Sequence, residues 1–229
     1  MKGLVFEIRG KLAHFRRPDT TATQMTYPFI TPTATKGLVG SILGITDFVT
    51  RDKIGIEMLH PVKIVSQQLS MLGKDNSKTF NRLTTIELIV NPAYRIYYAG
   101  DEYIEQLLEY LKNERAVYST YLGVAYASTK PVLIKKYDDV RHIIDSCKGV
   151  VESKAVVPTA IIEKLSIKEG FYFCRAGGFM YSYKGGRTFE KSIDFIYERE
   201  GKSIAFIPKS EDLLGIEIAR FGDEFICLI

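Results

Sequence analysis

The stretch TYPFITPTATKGLVGSILG, residues 26–44, determines how the first half of the chain folds. A threonine in its Pro- and Thr-rich first part can cap a helix, and Gly44 can end that helix. The residues between them place an apolar stripe on one helix face, comprising Leu38, Val39, Ile42 and Leu43. The stretch therefore predicts a helix from about Thr33 to Gly44.

Three glycines, Gly37, Gly40 and Gly44, stand in this predicted helix. Each glycine inside a helix costs about 1 kcal/mol relative to alanine, so three of them require a compensating reason. At about 100° per residue they fall on one face away from the apolar stripe. We expect this bare face to let another backbone approach closely, from either a protein strand or a nucleic-acid chain.

Upstream, LVFEIRGKLAHF at residues 4–15 alternates apolar and polar positions, as a half-buried strand does. Downstream, residues 61–72 and 79–100 predict a long β-hairpin with a polar tip at 73–78 and Pro92 at a bulge or an edge. DEYIEQLLEYLKN at 101–113 predicts a second helix. The order β, α, β-hairpin, α matches a ferredoxin-like, or RRM-like, layer of two helices on an antiparallel sheet.

The second half changes to short strands around glycine turns, and we interpret the GG pairs at 177–178 and 185–186 as hairpin turns. The sequence thus predicts an α+β protein. A ferredoxin-like domain spans residues 1–130, with a projecting hairpin at about 61–100. A smaller β-rich lobe spans residues 131–229.

Several function classes lack support in the sequence. The three histidines are scattered, and the three cysteines are widely separated without CxxC spacing, so no metal site is indicated. No phosphate-binding glycine loop, GxSxG elbow or HExxH motif occurs, and we expect no cofactor. No signal peptide or bilayer-length apolar run is present, so we expect a cytoplasmic protein without membrane contact.

Basic charge concentrates in the first half: residues 1–100 hold 13 Lys and Arg against 7 Asp and Glu, whereas residues 101–229 hold 18 against 20. A helix N-terminus with a capping Thr and a nearby Lys predicts a phosphate site, and Phe80 and Met71 could stack on bases. The candidate RNA-binding residues are Arg9, Lys11, His14, Arg16, Arg17, Lys36, Lys74, Lys78, Phe80 and Arg82, with Gly37 and Gly40 as the bare helix face.

One catalytic alternative stays open, namely metal-independent RNA cleavage by a general base and a general acid. His14, with Tyr27 and Lys36, could supply these groups. A second alternative is a protein-only scaffold, in which the glycine face packs against a partner strand.

The order of these segments resembles the Cas-five family of CRISPR-associated proteins, within the wider repeat-associated RAMP group. The resemblance rests on EIRGKLAHFRRP at residues 7–18, TPTATKGLVGSILG at 31–44, a long polar hairpin, and YLGVAYA at 121–127. It is closest to the subtype I-B branch.

The resemblance implies a Cascade subunit that holds the 5′ handle of crRNA and caps the filament of backbone subunits. Its implied partners are crRNA, the backbone subunit, the large subunit that reads the PAM and, indirectly, target DNA. The segment Ser66 to Arg82 would be a thumb, and Arg16 and Arg17 with Thr35 and Lys36 would face the handle. In the subtype I-C branch the protein is itself the endoribonuclease. Its Tyr, Lys and His trio has no residue-by-residue counterpart here, so a binding role without catalysis is favoured.

Overall fold

The computed structural model describes residues 1–20, 22–75, 78–143, 149–209 and 215–229. Across these residues the chain is mostly β, with two α-helices, so the predicted α+β class is confirmed in this strand-rich form. The helices are α1 (Pro32–Leu43) and α2 (Ile104–Lys112), with a short 3₁₀ helix at Thr159–Ile161. The first-half strands are β1 (Lys2–Arg9), β2 (Leu12–Ala13), β3 (Lys53–Met58), β4 (Ile64–Asp75), β5 (Lys78–Val90) and β6 (Ala93–Gly100). The later strands are β7 (Val132–Tyr137), β8 (Arg141–His142), β9 (Val151–Ser153), β10 (Val157–Pro158), β11 (Ile162–Leu165), β12 (Phe173–Tyr183), β13 (Phe189–Glu198), β14 (Ile204–Pro208), β15 (Glu217–Phe221) and β16 (Glu224–Leu228).

The first sheet has the order β3-β6-β1-β7, and all neighbouring strands are antiparallel. Alternate residues of β1 face two different layers because side chains along a strand alternate. Leu4, Phe6 and Ile8 belong to the core that α1 and α2 cover. Val5 faces a smaller core that includes Phe221, from β15. The sheet is therefore covered by helices on one face and by C-terminal strands on the other.

The sequence of α1 explains both of its ends. The Thr31 hydroxyl accepts a 3.0 Å hydrogen bond from the backbone N–H of Ala34, and Pro32 occupies the first turn. At the other end Gly44 adopts φ +79°, the left-handed conformation that ends many helices. The predicted apolar stripe is buried, so the helix and its core face are confirmed.

The second helix is shorter than the predicted 101–113 because a buried carboxylate holds the residues before it. Asp52 accepts hydrogen bonds from the backbone N–H groups of Asp101, Glu102 and Tyr103, at 2.9 to 3.1 Å. These three residues therefore form a turn that leads into α2. The predicted apolar face, consisting of Ile104, Leu107, Leu108 and Leu111, is buried as expected.

Two predicted strands are wrong in extent. The single strand expected at 4–15 breaks at Gly10, so β1 joins the first sheet while β2 pairs with β5. The hairpin expected at 61–100 ends at Val90, because Asn91 adopts φ +50° and Pro92 cannot donate to a sheet. Residues 93–100 instead form β6, an inner strand of the first sheet. The expected tip at 73–78 lies partly outside the described residues, at 76 and 77.

The second half forms a three-stranded sheet, β10-β13-β12, and a six-stranded sheet, β11-β14-β9-β16-β15-β8. The first sheet continues past residue 130, because β7 pairs with β1. Phe179 and Phe195 also pack on Phe29 in the main core, so both halves share that core.

The two GG pairs differ in role. Gly185 and Gly186 form the turn between β12 and β13, as predicted, and both have positive φ. The pair at 177–178 is not a turn, because it forms a bulge inside β12, where the register with β13 shifts. None of the helices among the described residues is long and apolar enough to cross a bilayer.

Candidate nucleic-acid interface

A groove runs beside the first half of α1, between that helix and the β12–β13 hairpin. It consists of three cavities of about 280, 500 and 480 Å³. Thr33 and Phe189 line both the first and the second cavity, and Lys36, Tyr181 and Tyr183 line both the second and the third. We call the three cavities together the α1 groove.

The central cavity, here called the Gly37 pocket, has a polar and aromatic lining. Thr33, Gly37 and Ser41 lie one helical turn apart and face it from α1. Tyr118 and Tyr121, from the loop after α2, line it as well and are each about half exposed. Aromatic rings beside hydroxyl groups suit a ligand that is flat and polar at its edges, as a nucleobase is.

A set of hydrogen bonds attaches the β12–β13 hairpin, which forms one wall of the groove, to the loop after α1. The Tyr183 hydroxyl donates to one carboxylate oxygen of Asp47, and the backbone N–H of Gly186 donates to the other at 3.2 Å. The backbone N–H of Arg187 donates to the Tyr183 hydroxyl, also at 3.2 Å. The tip of the C-terminal hairpin is thus held in place over the helix.

Arg51, Lys53 and Lys184 line the third cavity and are paired with Glu102, Glu217 and Glu190. Three further cations line the groove: Arg16 in the first cavity, and Lys36 and Arg187 in the central one. Within the described part of the chain, none of them has a carboxylate within ion-pairing distance. Other cations nearby are paired, since Arg17 contacts Asp19 at 2.6 Å. These three unpaired positive charges therefore lie along one groove, where an anion could neutralise them.

Burial lowers the pKa of Lys36 to about 8, although the carboxylate of Asp52 acts in the opposite direction. Lys36 is half-buried in the wall between two of the cavities. The ammonium group is still mostly protonated at neutral pH. Its depressed pKa means that a phosphate ligand would stabilise the charged form, so binding near pH 8 would take up a proton.

His14 and Tyr27, two of the three residues named for a nuclease, line the first cavity together. Nδ1 of His14 lies 2.8 Å from the Glu87 carbonyl oxygen, which can only accept, so Nδ1 carries the proton. Nε2 is buried and has no hydrogen-bond partner among the described residues. The Tyr27 hydroxyl donates a 2.6 Å bond to the Gly178 carbonyl, and burial raises the Tyr27 pKa.

Several predicted RNA contacts are not available in the groove. Thr35 is fully buried, and its hydroxyl donates to the Thr31 carbonyl. Gly40 is buried under Phe48, so the expectation that it presents a bare face to an outside backbone is wrong. Of the glycine stripe, Gly37 lines the groove. Arg9 is paired with Glu7, and Lys11 is exposed at the turn between β1 and β2.

The predicted RNA-binding residues of the β4–β5 hairpin lie away from the groove. At about 3.3 Å per residue, Arg82 is roughly 17 Å along β5 from Glu87, the residue that contacts His14. Lys78 and Phe80 lie further out, and the Phe80 ring packs over Gly73 while staying half exposed. The Lys74 side chain lies outside the described residues. The opening segment and the helix therefore converge on one groove, whereas the outer hairpin forms a separate surface.

One wall of the groove was not predicted from the sequence. Tyr181, Tyr183, Arg187 and Phe189 come from the C-terminal half, which carries no net positive charge and no recognised motif. Their signal is a run of aromatic residues on both sides of a glycine turn, which predicts a hairpin but not what that hairpin covers. Tyr121 lies in the YLGVAYA segment, so the sequence indicated that position without giving it a role.

The fold and groove define a mostly β protein with two helices and a cationic, tyrosine-lined cleft between its halves. Residues 3–112, which run from the second residue of β1 to the end of α2, match the model of the family described as CRISPR-associated protein (Cas_Cas5). No curated protein matches the sequence.

Solved structures share the fold. The chain is similar to a CRISPR protein from Archaeoglobus fulgidus, with a TM-score of 0.57 and 10% identity over 99% of this chain and 98% of that one. It is also similar to a chain of a CRISPR RNA-guided surveillance complex, with a TM-score of 0.56 and 10% identity over 91% of this chain and 92% of that one. At 10% identity these likenesses show a shared fold.

Proposed function

We propose that this chain is a Cas-five family subunit of a CRISPR surveillance complex of subtype I-B. In this role it works in the cytoplasm, binds the 5′ handle of crRNA and caps the filament of backbone subunits without cutting RNA. Its partners are crRNA, the first backbone subunit and the large PAM-reading subunit, and it meets target DNA indirectly.

The observation that carries the proposal is the α1 groove with its unpaired cations. Arg16, Lys36 and Arg187 lie along one cleft, and tyrosines stand between them. Cations that hold phosphates, interleaved with aromatic rings that stack on bases, are the usual elements of a site for single-stranded RNA. The match of residues 3–112 to a CRISPR-associated family supports the same assignment.

The proposed subunit consists of a body and a projecting thumb. The first sheet with α1 and α2 forms the ferredoxin-like body, and the β4–β5 hairpin is the thumb. The antiparallel order β3-β6-β1-β7 and the two helices on one face support this arrangement. The exposed side chains of the outer hairpin, among them Leu72 and Leu83, suit contact with a neighbouring subunit or the guide strand.

A salt series on the purified chain and a labelled transcript of the repeat tests RNA binding. The logarithm of the association constant should fall linearly with the logarithm of the salt concentration. Lys36→Gln and Arg16→Gln should each reduce that slope by about one phosphate contact. Arg141→Gln, at an exposed cation paired with Asp139, is the matched control and should leave the slope unchanged.

Binding that does not change with salt, or an equal loss in the Arg141 variant, would contradict the proposal. The first result would exclude phosphate neutralisation. The second would show that any surface cation serves equally well.

A metal-independent endoribonuclease is the second candidate, favoured by one observation. With its proton on Nδ1, His14 has a free lone pair on Nε2 and lies beside the cavity that Tyr27 also lines. A neutral imidazole in this state can act as a general base toward a 2′-hydroxyl group, provided that RNA binding exposes the buried Nε2. Tyr27 is poorly suited to serve as the general acid beside His14, because its hydroxyl proton is held in the hydrogen bond to the Gly178 carbonyl oxygen and its pKa is raised.

Incubating the purified chain with repeat RNA in EDTA separates the two candidates. Intact RNA favours the binding subunit. Discrete cleavage that is lost in His14→Ala, but kept in a His60→Ala control, would replace the proposal with the nuclease.

A further inference from the structure

The two glycines of α1 and the glycine directly after it are required for different physical reasons. Gly44 needs its left-handed φ of +79°. A Cβ atom on Gly40 would lie 2.8 Å from the Phe48 Cβ and 3.0 Å from the Ile45 carbonyl oxygen, so packing excludes a side chain there. Gly37 has helical backbone angles, and a Cβ atom built on it meets no atom of the described residues within 4 Å.

Gly37 therefore weakens the helix without any gain inside the chain. Alanine is the better helix former, and neither backbone strain nor a neighbour prevents it at this position. The space above Gly37 is the Gly37 pocket, whose volume of about 500 Å³ is within the range of small-ligand sites. A ligand atom resting on the backbone at Gly37 would explain why no side chain occupies that space.

The pocket wall indicates which chemistry that ligand has. Tyr118 and Tyr121 stand on one side, Tyr183 on the other, and Ser41 beside Gly37 at the floor. Lys36 lies next to the floor and also faces the third cavity. The pocket thus offers aromatic surface for a flat ring, and Lys36 lies where the pocket adjoins the third cavity of the groove.

We propose that the Gly37 pocket holds one unstacked nucleotide of the bound RNA. Its base lies against the bare backbone of Gly37 between the tyrosine side chains, and Lys36 and Arg187 hold its flanking phosphates. This inference rests on the proposed RNA-binding function and goes beyond it by naming a base-sized site and the residue that keeps it open.

A larger side chain at Gly37, on the floor of the pocket, tests the inference. Gly37→Leu places a side chain in the pocket without a clash among the described residues, and Gly149→Leu is the matched control, because a Cβ atom on Gly149 also meets none of these residues within 4 Å. The probes are fluorescein-labelled single-stranded oligouridylate and oligoadenylate at low salt. Gly37→Leu should bind at least about tenfold more weakly than the wild type, a loss in the range of one stacked base. Gly149→Leu should bind like the wild type.

The folded state of each variant is checked by thermal unfolding. Gly37→Leu and Gly37→Ala should melt at or above the wild-type temperature, because both residues are better helix formers than glycine. Should Gly37→Leu fail to fold, Tyr121→Ala removes a half-exposed wall of the same pocket and should weaken binding by about tenfold.

A second readout locates the base. In oligonucleotides that carry 2-aminopurine at successive positions, quenching by the tyrosines should be strongest at one position and should disappear in Gly37→Leu. A folded Gly37→Leu variant with wild-type affinity and quenching would overturn the pocket assignment and leave RNA binding intact. Absence of RNA binding by the wild type at low salt would instead overturn the proposed function together with this inference.

Discussion

The hydroxyl group of Tyr27 donates a 2.6 Å hydrogen bond to the carbonyl oxygen of Gly178, which lies in the bulge of β12. The Tyr27 ring also stacks on Phe179, with ring centroids 4.2 Å apart. Asp194 holds the same bulge by accepting a 2.9 Å bond from the Gly178 N–H. These contacts fasten the C-terminal hairpin to the segment that leads into α1, and so they set the width of the α1 groove.

Removing the Tyr27 hydroxyl should loosen this attachment. Tyr27→Phe keeps the stack on Phe179 but loses the bond to Gly178, so we expect the free energy of unfolding to fall by about 1 kcal/mol. Tyr27→Ala also leaves a cavity, and we expect a fall of about 3 to 5 kcal/mol. Denaturant titration measures both. An unchanged Tyr27→Phe variant would show that this bond does not hold the halves together.

The end of α1 gives a prediction about backbone strain. Gly44→Ala forces a non-glycine residue to φ +79° and brings its Cβ atom within 3.0 Å of Val117. We expect unfolding to become easier by about 1 to 3 kcal/mol. Gly37→Ala is the control within the same helix and should be neutral or stabilising by up to about 1 kcal/mol. Equal effects at the two positions would contradict this account of the glycines.

The pH dependence of RNA affinity should follow Lys36. Burial lowers its pKa to about 8, so its positive charge is lost as the pH rises from 7 to 9. Affinity for RNA should fall over this interval in the wild type, but less in Lys36→Arg, because a guanidinium group stays charged. Anisotropy titrations at constant ionic strength measure the difference. An identical fall in both proteins would exclude Lys36 as the titrating group.

The same pKa predicts the sign of a stability change. Between pH 8 and about 10.5 the unfolded chain keeps a proton on Lys36 that the folded chain has released, so the free energy of unfolding should rise with pH. Lys36→Met should lack this rise, because the side chain no longer titrates. Denaturant titrations at pH 7.5 and at pH 10 compare the two proteins. A rise of equal size in the variant would show that other groups cause it.

Asp52 should be among the residues whose loss is most destabilising. Its carboxylate is buried and accepts three backbone N–H groups and the Tyr98 hydroxyl, the last at 2.7 Å. Asp52→Ala leaves all four donors without this acceptor, so we expect a loss of about 3 kcal/mol or more. Glu105→Gln, at an exposed pair with Lys2, is the control and should change stability by less than about 1 kcal/mol. A small effect of Asp52→Ala would show that water replaces the carboxylate.

Local patterns in the sequence predicted the elements that depend on residues close together along the chain, such as α1 and its buried face. The stripe of Leu38, Val39 and Ile42 indicated α1 and its buried face, since residues three and four apart share one side of a helix. The predicted hairpin was too long because residues 79–90 and 93–100 both have strand-like alternation. Alternation does not reveal that the turn at Asn91 sends the second segment into another sheet.

The candidate site likewise contains residues that local patterns predicted correctly and residues that they did not. Lys36 and Gly37 could be named from the chain because they lie in the helix that forms the floor of the groove, and Arg16 because it follows the basic opening strand. Gly40 was misassigned because a periodicity of 100° per residue gives the direction of a position but not what covers it. Phe48 covers it, from a loop that no helical pattern includes.

The sequence by itself determined the helices, the strand-rich second half and a positive charge near the first helix, because these depend on neighbours along the chain. The tertiary structure alone decided that the hairpin containing Gly178, 151 residues downstream of Tyr27, forms the other wall of the groove. It also decided which cations stay unpaired and that Gly37 faces open space. Such properties depend on contacts between distant segments, and those contacts are set by the packing of one shared core.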